Sequence, residues 1–106
     1  MTLVRQENAM GAVLKIGKSL SIHQVTALRE ELLSTLEKHE QLVLALDEVE
    51  TCDAAGIQLL CSARKTADAA GKIVMICSPS SAVLDVLREI GNNAQDFLDN
   101  EDFGNI

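Results

Sequence analysis

Tryptophan and tyrosine are missing from the 106 residues and phenylalanine occurs twice, which removes the ring platforms that usually hold single-stranded nucleic acid and methylated lysines. Basic residues are scarce as well. Nine Lys and Arg stand against sixteen Asp and Glu, for a net charge of -7, and such a surface repels phosphate backbones and anionic lipid. No nucleic acid is expected among the partners. The three cysteines, Cys52, Cys61 and Cys77, are odd in number and lack C-x-x-C spacing, so no disulfide framework or zinc knuckle is expected, only the reduced thiols of a cytoplasmic protein. No basic stretch leads into an apolar one at the start, and no apolar run approaches the roughly eighteen residues needed to cross a bilayer. The expectation is a cytoplasmic chain without membrane insertion.

What is present is a globular composition, 47% hydrophobic and 24% charged, in a length suited to a single domain over residues 1–106 built on one core. Thr2 to Gly17 reads as a two-strand hairpin broken at Asn8 to Gly11. Ser21 and Gln24 have the spacing of a capping box, and Ile22, Val25, Leu28, Leu32 and Leu36 recur with helical period, predicting a helix over 22–38 with an inward stripe. Leu42 to Leu46 is a compact apolar run, expected to be a central strand buried on both faces. After a polar loop, Asp53 is placed to cap a second helix in which Leu60, Ala63, Ala67 and Ala70 share a face, closed by Gly71. Residues 72–77 predict another strand. Ser78-Pro79 then reads as cap and first position of a third helix, with Val83, Leu84, Leu87 and Ile90 turned inward up to Gly91. A short final element carries Phe97, Leu98 and Phe103 among Asp96, Asp99, Glu101 and Asp102. The order β-β-α-β-α-β-α predicts an α/β fold: a mixed sheet with an N-terminal hairpin, parallel central strands, and about four helices mainly on one face.

The segment Asp47 to Leu60, D-E-V-E-T-C-D-A-A-G-I-Q-L-L, joins a buried strand to a helix where loops leave the carboxyl ends of strands, the usual place for sites in such sheets. An apolar strand, a short polar loop, D-x-x-G and a hydrophobic residue at a helix start, then a G-K-hydrophobic strand about twenty residues on, resembles the STAS family of anti-sigma-factor antagonists. The S-P-S-S-A-V-L-D-V-L helix and the terminal D-F-L fit as well, so the resemblance covers nearly the whole chain. It implies a non-enzymatic interaction module in signal transduction and transcription regulation, docking an anti-sigma factor or a histidine-kinase-like ATPase domain through Glu50, Thr51, Asp53, Ala54, Ala55, Gly56 and Gln58. Ser62, Arg64 and Lys65 would lie nearby. Phosphoregulated relatives carry D-S-S-G and are phosphorylated on the second serine, the position of Ala55 here; relatives in lipid-transport complexes carry threonine at the position of Ala54. Neither methyl group accepts phosphate. The resemblance therefore implies a switch that has been lost, because a phosphate would add roughly -1.5 to -2 charge beside Asp53 and Glu50. Regulation then passes to the partner's state or to Thr51, Ser78, Ser80 or Ser81.

Other readings stay beside this one. Asp53 followed by small residues is also an ordinary capped helix start, compatible with docking. A STAS subunit steadying the ATPase of an ABC-type lipid transporter is the alternative partner class. An enzyme is the alternative of another kind, using Cys52 with its thiol lowered by a helix N-terminus or Asp47, Glu48, Glu50 and Asp53 around magnesium. Against it stand Glu50 and Asp53, which disfavour a thiolate, and the placement of His23 and His39 in the first helix region. No metal or other cofactor is expected. Gly11 and Gly17 are read as turns, the charges Arg29, Glu30, Glu31, Glu37 and Lys38 as a solvated helix face, and the chain as a monomer or weak homodimer.

Overall fold

The structure, a computed structural model, describes residues 1–8 and 11–90. Strand β1 (Thr2–Asn8) turns back into β2 (Gly11–Leu20); a 3-10 turn (Ile22–Gln24) leads into helix α1 (Val25–Lys38), followed by β3 (Gln41–Cys52), α2 (Ala54–Ala69), β4 (Ile73–Cys77) and α3 (Ser81–Glu89). One four-stranded sheet has the order β1-β2-β3-β4, antiparallel between β1 and β2 and parallel thereafter. The mixed α/β class and the hairpin agree with expectation. Three α-helices and a 3-10 turn fall among the described residues; the C-terminal element, with Phe97, Leu98 and Phe103, lies outside them, as does Gly91.

The core forms on one side of the sheet. Leu14 and Ile16 of β2, Leu42, Leu44 and Leu46 of β3 and Val74 and Ile76 of β4 are buried, alternating with residues that keep partial exposure, including Val43, Ala45 and Met75. Onto them pack Leu28, Leu32 and Leu36 of α1, Ile57, Leu60, Ala63 and Ala67 of α2, and Val83, Val86 and Leu87 of α3. The expectation that residues 42–46 are buried on both faces is therefore corrected: Val43 and Ala45 are only half-buried. On the helices, Ile22, Ala70 and Ile90 are exposed rather than inward, and Val86, outside the expected stripe, is buried.

Several boundaries move for local reasons. The α2 C-terminus closes as read: Gly71 adopts φ 74, its N–H donates to the Asp68 carbonyl at 3.2 Å and the Lys72 N–H to the Ala67 carbonyl at 2.8 Å, the two reciprocal bonds of a left-handed helix stop. The α3 cap lies two residues later than expected. Ser78 is held at φ 56, and Ser80 Oγ accepts from the Val83 N–H at 3.3 Å, so Pro79 precedes the cap instead of opening the helix. The capping box at Ser21 is absent too. The Ser21 side chain accepts no cap bond; Gln24 Oε1 instead receives the hydroxyls of Ser19, at 2.9 Å, and Ser21.

The strongest correction concerns the sheet beyond residue 46. Residues 47–52 continue β3, and β2 runs on past Gly17 to Leu20. The two strands stay paired through register shifts between Lys15 and Gly17 and between Lys18 and Ser19, where β3 carries the extra residues opposite β2. Lys18 adopts φ 63 at this irregularity. Gly17 is thus no turn: it lies within β2, and a Cβ there would come within 2.4 Å of Thr2 Oγ1. A periodicity reading misses such a strand because the bulges break the alternation it relies on.

Thr35 is the one fully buried polar side chain among the described residues, and its Oγ1 donates to the Glu31 carbonyl one turn back at 2.8 Å. This bond only duplicates a helix bond. Thr35→Val is therefore expected to change unfolding stability by no more than about 0.5 kcal/mol, whereas Leu44→Ala, which empties the middle of the core, is expected to cost about 3 kcal/mol. Urea titration of the two variants checks both.

Candidate functional site

β2 and β3 end side by side, with Leu20 opposite Cys52 in register, and the next residue, Asp53, turns the chain into α2. Its backbone is extended, with φ -132 and ψ 175, and its N–H donates to the Leu20 carbonyl at 3.1 Å. Its carboxylate then serves two helix starts. Oδ1 accepts from the Gly56 N–H at 3.0 Å, in the first turn of α2; Oδ2 accepts from the Ile22 N–H at 3.0 Å, opening the 3-10 turn ahead of α1. The first bond was legible as a cap in D-x-x-G. The second joins residues 31 apart, and only the pairing of β2 with β3 creates it.

The Ile22 N–H, above all, holds the Asp53 carboxyl below the usual carboxylate range, against partial burial that pushes it up; the N–H groups of Gly56 and Ala55 and the nearby His23 add to the lowering. Gly56 has a different task. A Cβ there would come within 2.5 Å of the Leu20 carbonyl oxygen and 2.8 Å of the Leu20 side chain, so only glycine lets the first turn of α2 rest on the end of β2. It is buried and out of reach of a visitor, a correction to its reading as a contact residue.

The accessible members of the segment are Glu50, Thr51 and Gln58, all exposed, with Ala54 and Ala55 half-buried. Ser62 and Lys65 are exposed one and two turns further along α2, and Arg64 is half-buried. The sequence reading missed Ile22, which is 63% exposed and stands beside this segment because Asp53 holds its N–H. A helical period counts Ile22 into the inward stripe; the signal against it is that the 3-10 turn at 22–24 breaks phase with α1.

The enzymatic alternative fares poorly on this geometry. Burial, with the Asp53 charge adding, pushes the Cys52 thiol up to about 11, and its Sγ lies 3.6 Å from the Asp53 carbonyl; a thiol so placed is protonated at neutral pH. Burial also raises Cys61. The acidic residues do not converge: Asp47 and Glu48 reach Lys15 at 3.6 and 3.7 Å, and Asp53 is occupied by N–H groups. Among the described residues no cluster of His, Cys, Asp and Glu has the make-up of a metal site, and no helix is long and apolar enough to cross a membrane. An apolar cleft of about 250 Å³ between α1 and α2, walled by Leu33, Leu36, Ala67 and Ala70, lies toward the far ends of those helices. The segment around Asp53 is a surface.

A hairpin leading into a parallel sheet, with a capped D-x-x-G helix start at the carboxyl end of a central strand, defines a small α/β domain of the STAS type. The chain belongs to the STAS domains of the Mlab type, whose family model matches residues 3–98. Among solved structures, it resembles an anti-sigma factor antagonist from Mycobacterium paratuberculosis, with a TM-score of 0.71 at 15% identity over 92% of this chain and 82% of the other. It also resembles the anti-sigma factor antagonist SpoIIAA in its unphosphorylated form, with a TM-score of 0.70 at 15% identity over 85% and 81%. The Bacillus cell fate determinant SpoIIAA in its phosphorylated form gives a TM-score of 0.66 at 14% identity over 85% and 84%. At these identities the likeness is one of fold. A search of curated protein sequences found no significant match.

Two substitutions separate the tasks at Asp53 and Gly56. Asp53→Asn keeps one acceptor oxygen for two N–H groups and is expected to cost about 1 kcal/mol at pH 7. Because the folded-state pKa lies below the unfolded one, the carboxylate's contribution is complete above the ordinary carboxylate range and is lost as pH falls through the folded value. The gap between wild type and Asp53→Asn in thermal or urea unfolding should accordingly close below about pH 4. Gly56→Ala, forced against a backbone carbonyl, is expected to cost about 1–3 kcal/mol with no comparable pH dependence.

Proposed function

We propose that this chain is a non-enzymatic regulatory module that captures a protein partner on the surface where β2, β3 and α2 meet. The observation that carries the reading is Ile22, a large apolar side chain 63% exposed, set beside the small Ala54 and Ala55 and fixed by the Asp53–Ile22 bond. An exposed apolar anchor bordered by small and polar residues suits an interface hot spot. Thr51, Glu50 and Gln58 supply the rim, while Asp53 and Gly56 position it from beneath.

The partner is an anti-sigma factor or a histidine-kinase-like ATPase domain, as the family resemblance implies, with a transporter ATPase as the competing candidate. Ala54 and Ala55 stand where relatives carry hydroxyls, so the surface is permanently in its unmodified form. Binding is governed by the partner's state rather than by phosphate on this loop, and the work is done in the cytoplasm.

Affinity purification from the source organism, read by mass spectrometry, identifies the partner and separates the candidate classes. Ala55→Glu and Ile22→Asp are each expected to abolish capture while moving the melting temperature by no more than a few degrees; capture that survives both places the interface elsewhere. Incubation with the captured kinase and labelled ATP should leave residues 50–60 unmodified, and phosphate on Thr51 would overturn the constitutive reading.

A further inference from the structure

β1 is the outer strand of the hairpin. It pairs with β2 through seven consecutive residue pairs without a shift, and among the described residues no strand lies on its other side. Such an edge is an open row of N–H and C=O groups that another strand can join. Protected edges usually carry proline, a bulge or repelling charge. β1 has no proline, its pairing is regular, and its two charges, Arg5 and Glu7, are of opposite sign two residues apart.

That spacing selects an occupant. In an antiparallel pair with its two-fold axis at Gln6, the residue before position 6 on one strand faces the residue after it on the other. Arg5 of each copy then faces Glu7 of the other, and the edge complements itself twice. The two side chains lie on one face of β1, with Arg5 Nη1 3.8 Å from Glu7 Oε2; Arg5 also pairs with Glu31, and Glu7 Oε2 lies 2.8 Å from His39 Nε2, yet 29% and 41% of the two side chains stay exposed, so an incoming strand can still reach both. On the opposite face Val4 is 52% exposed and would come alongside the second chain.

We propose that a second copy of this chain docks antiparallel along β1 with Gln6 at the centre, joining two sheets edge to edge. A single strand edge buries little area, so the dimer is weak and concentration-dependent. The surface around Asp53 takes no part, and the proposal stands independently of the function proposed above.

Sedimentation of the full chain up to about 1 mM, at low and at high salt, should show reversible dimerisation that salt weakens. Arg5→Glu is expected to lower the association constant about tenfold, and the exchange Arg5→Glu with Glu7→Arg to restore it. Because Arg5 also contacts Glu31 and Glu7 contacts His39, the melting of each variant is followed, and a cysteine test gives a reading that involves neither Arg5 nor Glu7. Gln6→Cys chains should oxidise to a covalent dimer through residue 6, whereas Val4→Cys chains, whose residue 4 positions lie more than about 10 Å apart in this register, should not. A wild-type chain that remains monomeric throughout, an association unchanged in Arg5→Glu, or equal cross-linking from positions 4 and 6 would overturn the proposal.

Discussion

One carboxylate ties one end of this molecule together. Asp53 accepts an N–H from each of two helix starts, and its own N–H reaches the Leu20 carbonyl, so a single residue fixes the exit of β2, the exit of β3, and the entries of α1 and α2. Buried or half-buried helix ends need partners for their first N–H groups, and here both take them from the same side chain. The arrangement requires close approach, which is why the residue three places on must be glycine: the Leu20 carbonyl occupies the space where a Cβ would stand. The D-x-x-G motif is thus explained by packing before any partner is invoked.

The same constraint presents the surface. Ile22 is exposed because a 3-10 turn, pinned by Asp53, precedes α1 and turns this position away from the stripe formed by Leu28, Leu32 and Leu36. Ala54 and Ala55 are small enough to leave the first turn of α2 open. On the reading proposed above, stability and recognition are built on one set of bonds, in which Asp53 and Gly56 support and Ile22, Ala55 and Gln58 would meet a partner. The chemical alternatives lose ground for local reasons: the Cys52 thiol is raised by burial, and the carboxylates at 47, 48 and 53 are engaged in different directions.

Much of this architecture was legible in the residues. The apolar runs at 42–46 and 73–77, the helical stripe at 28, 32 and 36, the Asp53 cap and the Gly71 stop each follow from local rules, and their order fixes the class of sheet. What escaped was set by non-local pairing. Strand character in 47–52 is hidden by bulges that exist only because β2 runs alongside, and the Ile22–Asp53 bond joins two strand ends that have no relation in sequence. The cap of α3 moved from Ser78 to Ser80 because Ser78 takes a left-handed backbone after β4, a choice two neighbouring serines leave open. Ile22 and Ile90 were misassigned for a common reason: periodicity counts apolar residues at a helix end as though the helix kept its phase through its last turn.

Because β2, β3 and β4 run parallel and each is followed by a helix, the starts of the three described helices gather along one margin of the sheet. Each start contributes about half a positive charge, and it is along this margin that Glu50 and Asp53 are found. These partial charges offset part of the two carboxylates, so the margin is less negative than its side chains alone would make it. On the reading proposed above, a protein arriving at this end would be met by less long-range charge than the total of -7 implies, and the fit of a few methyl-bearing side chains would count for more.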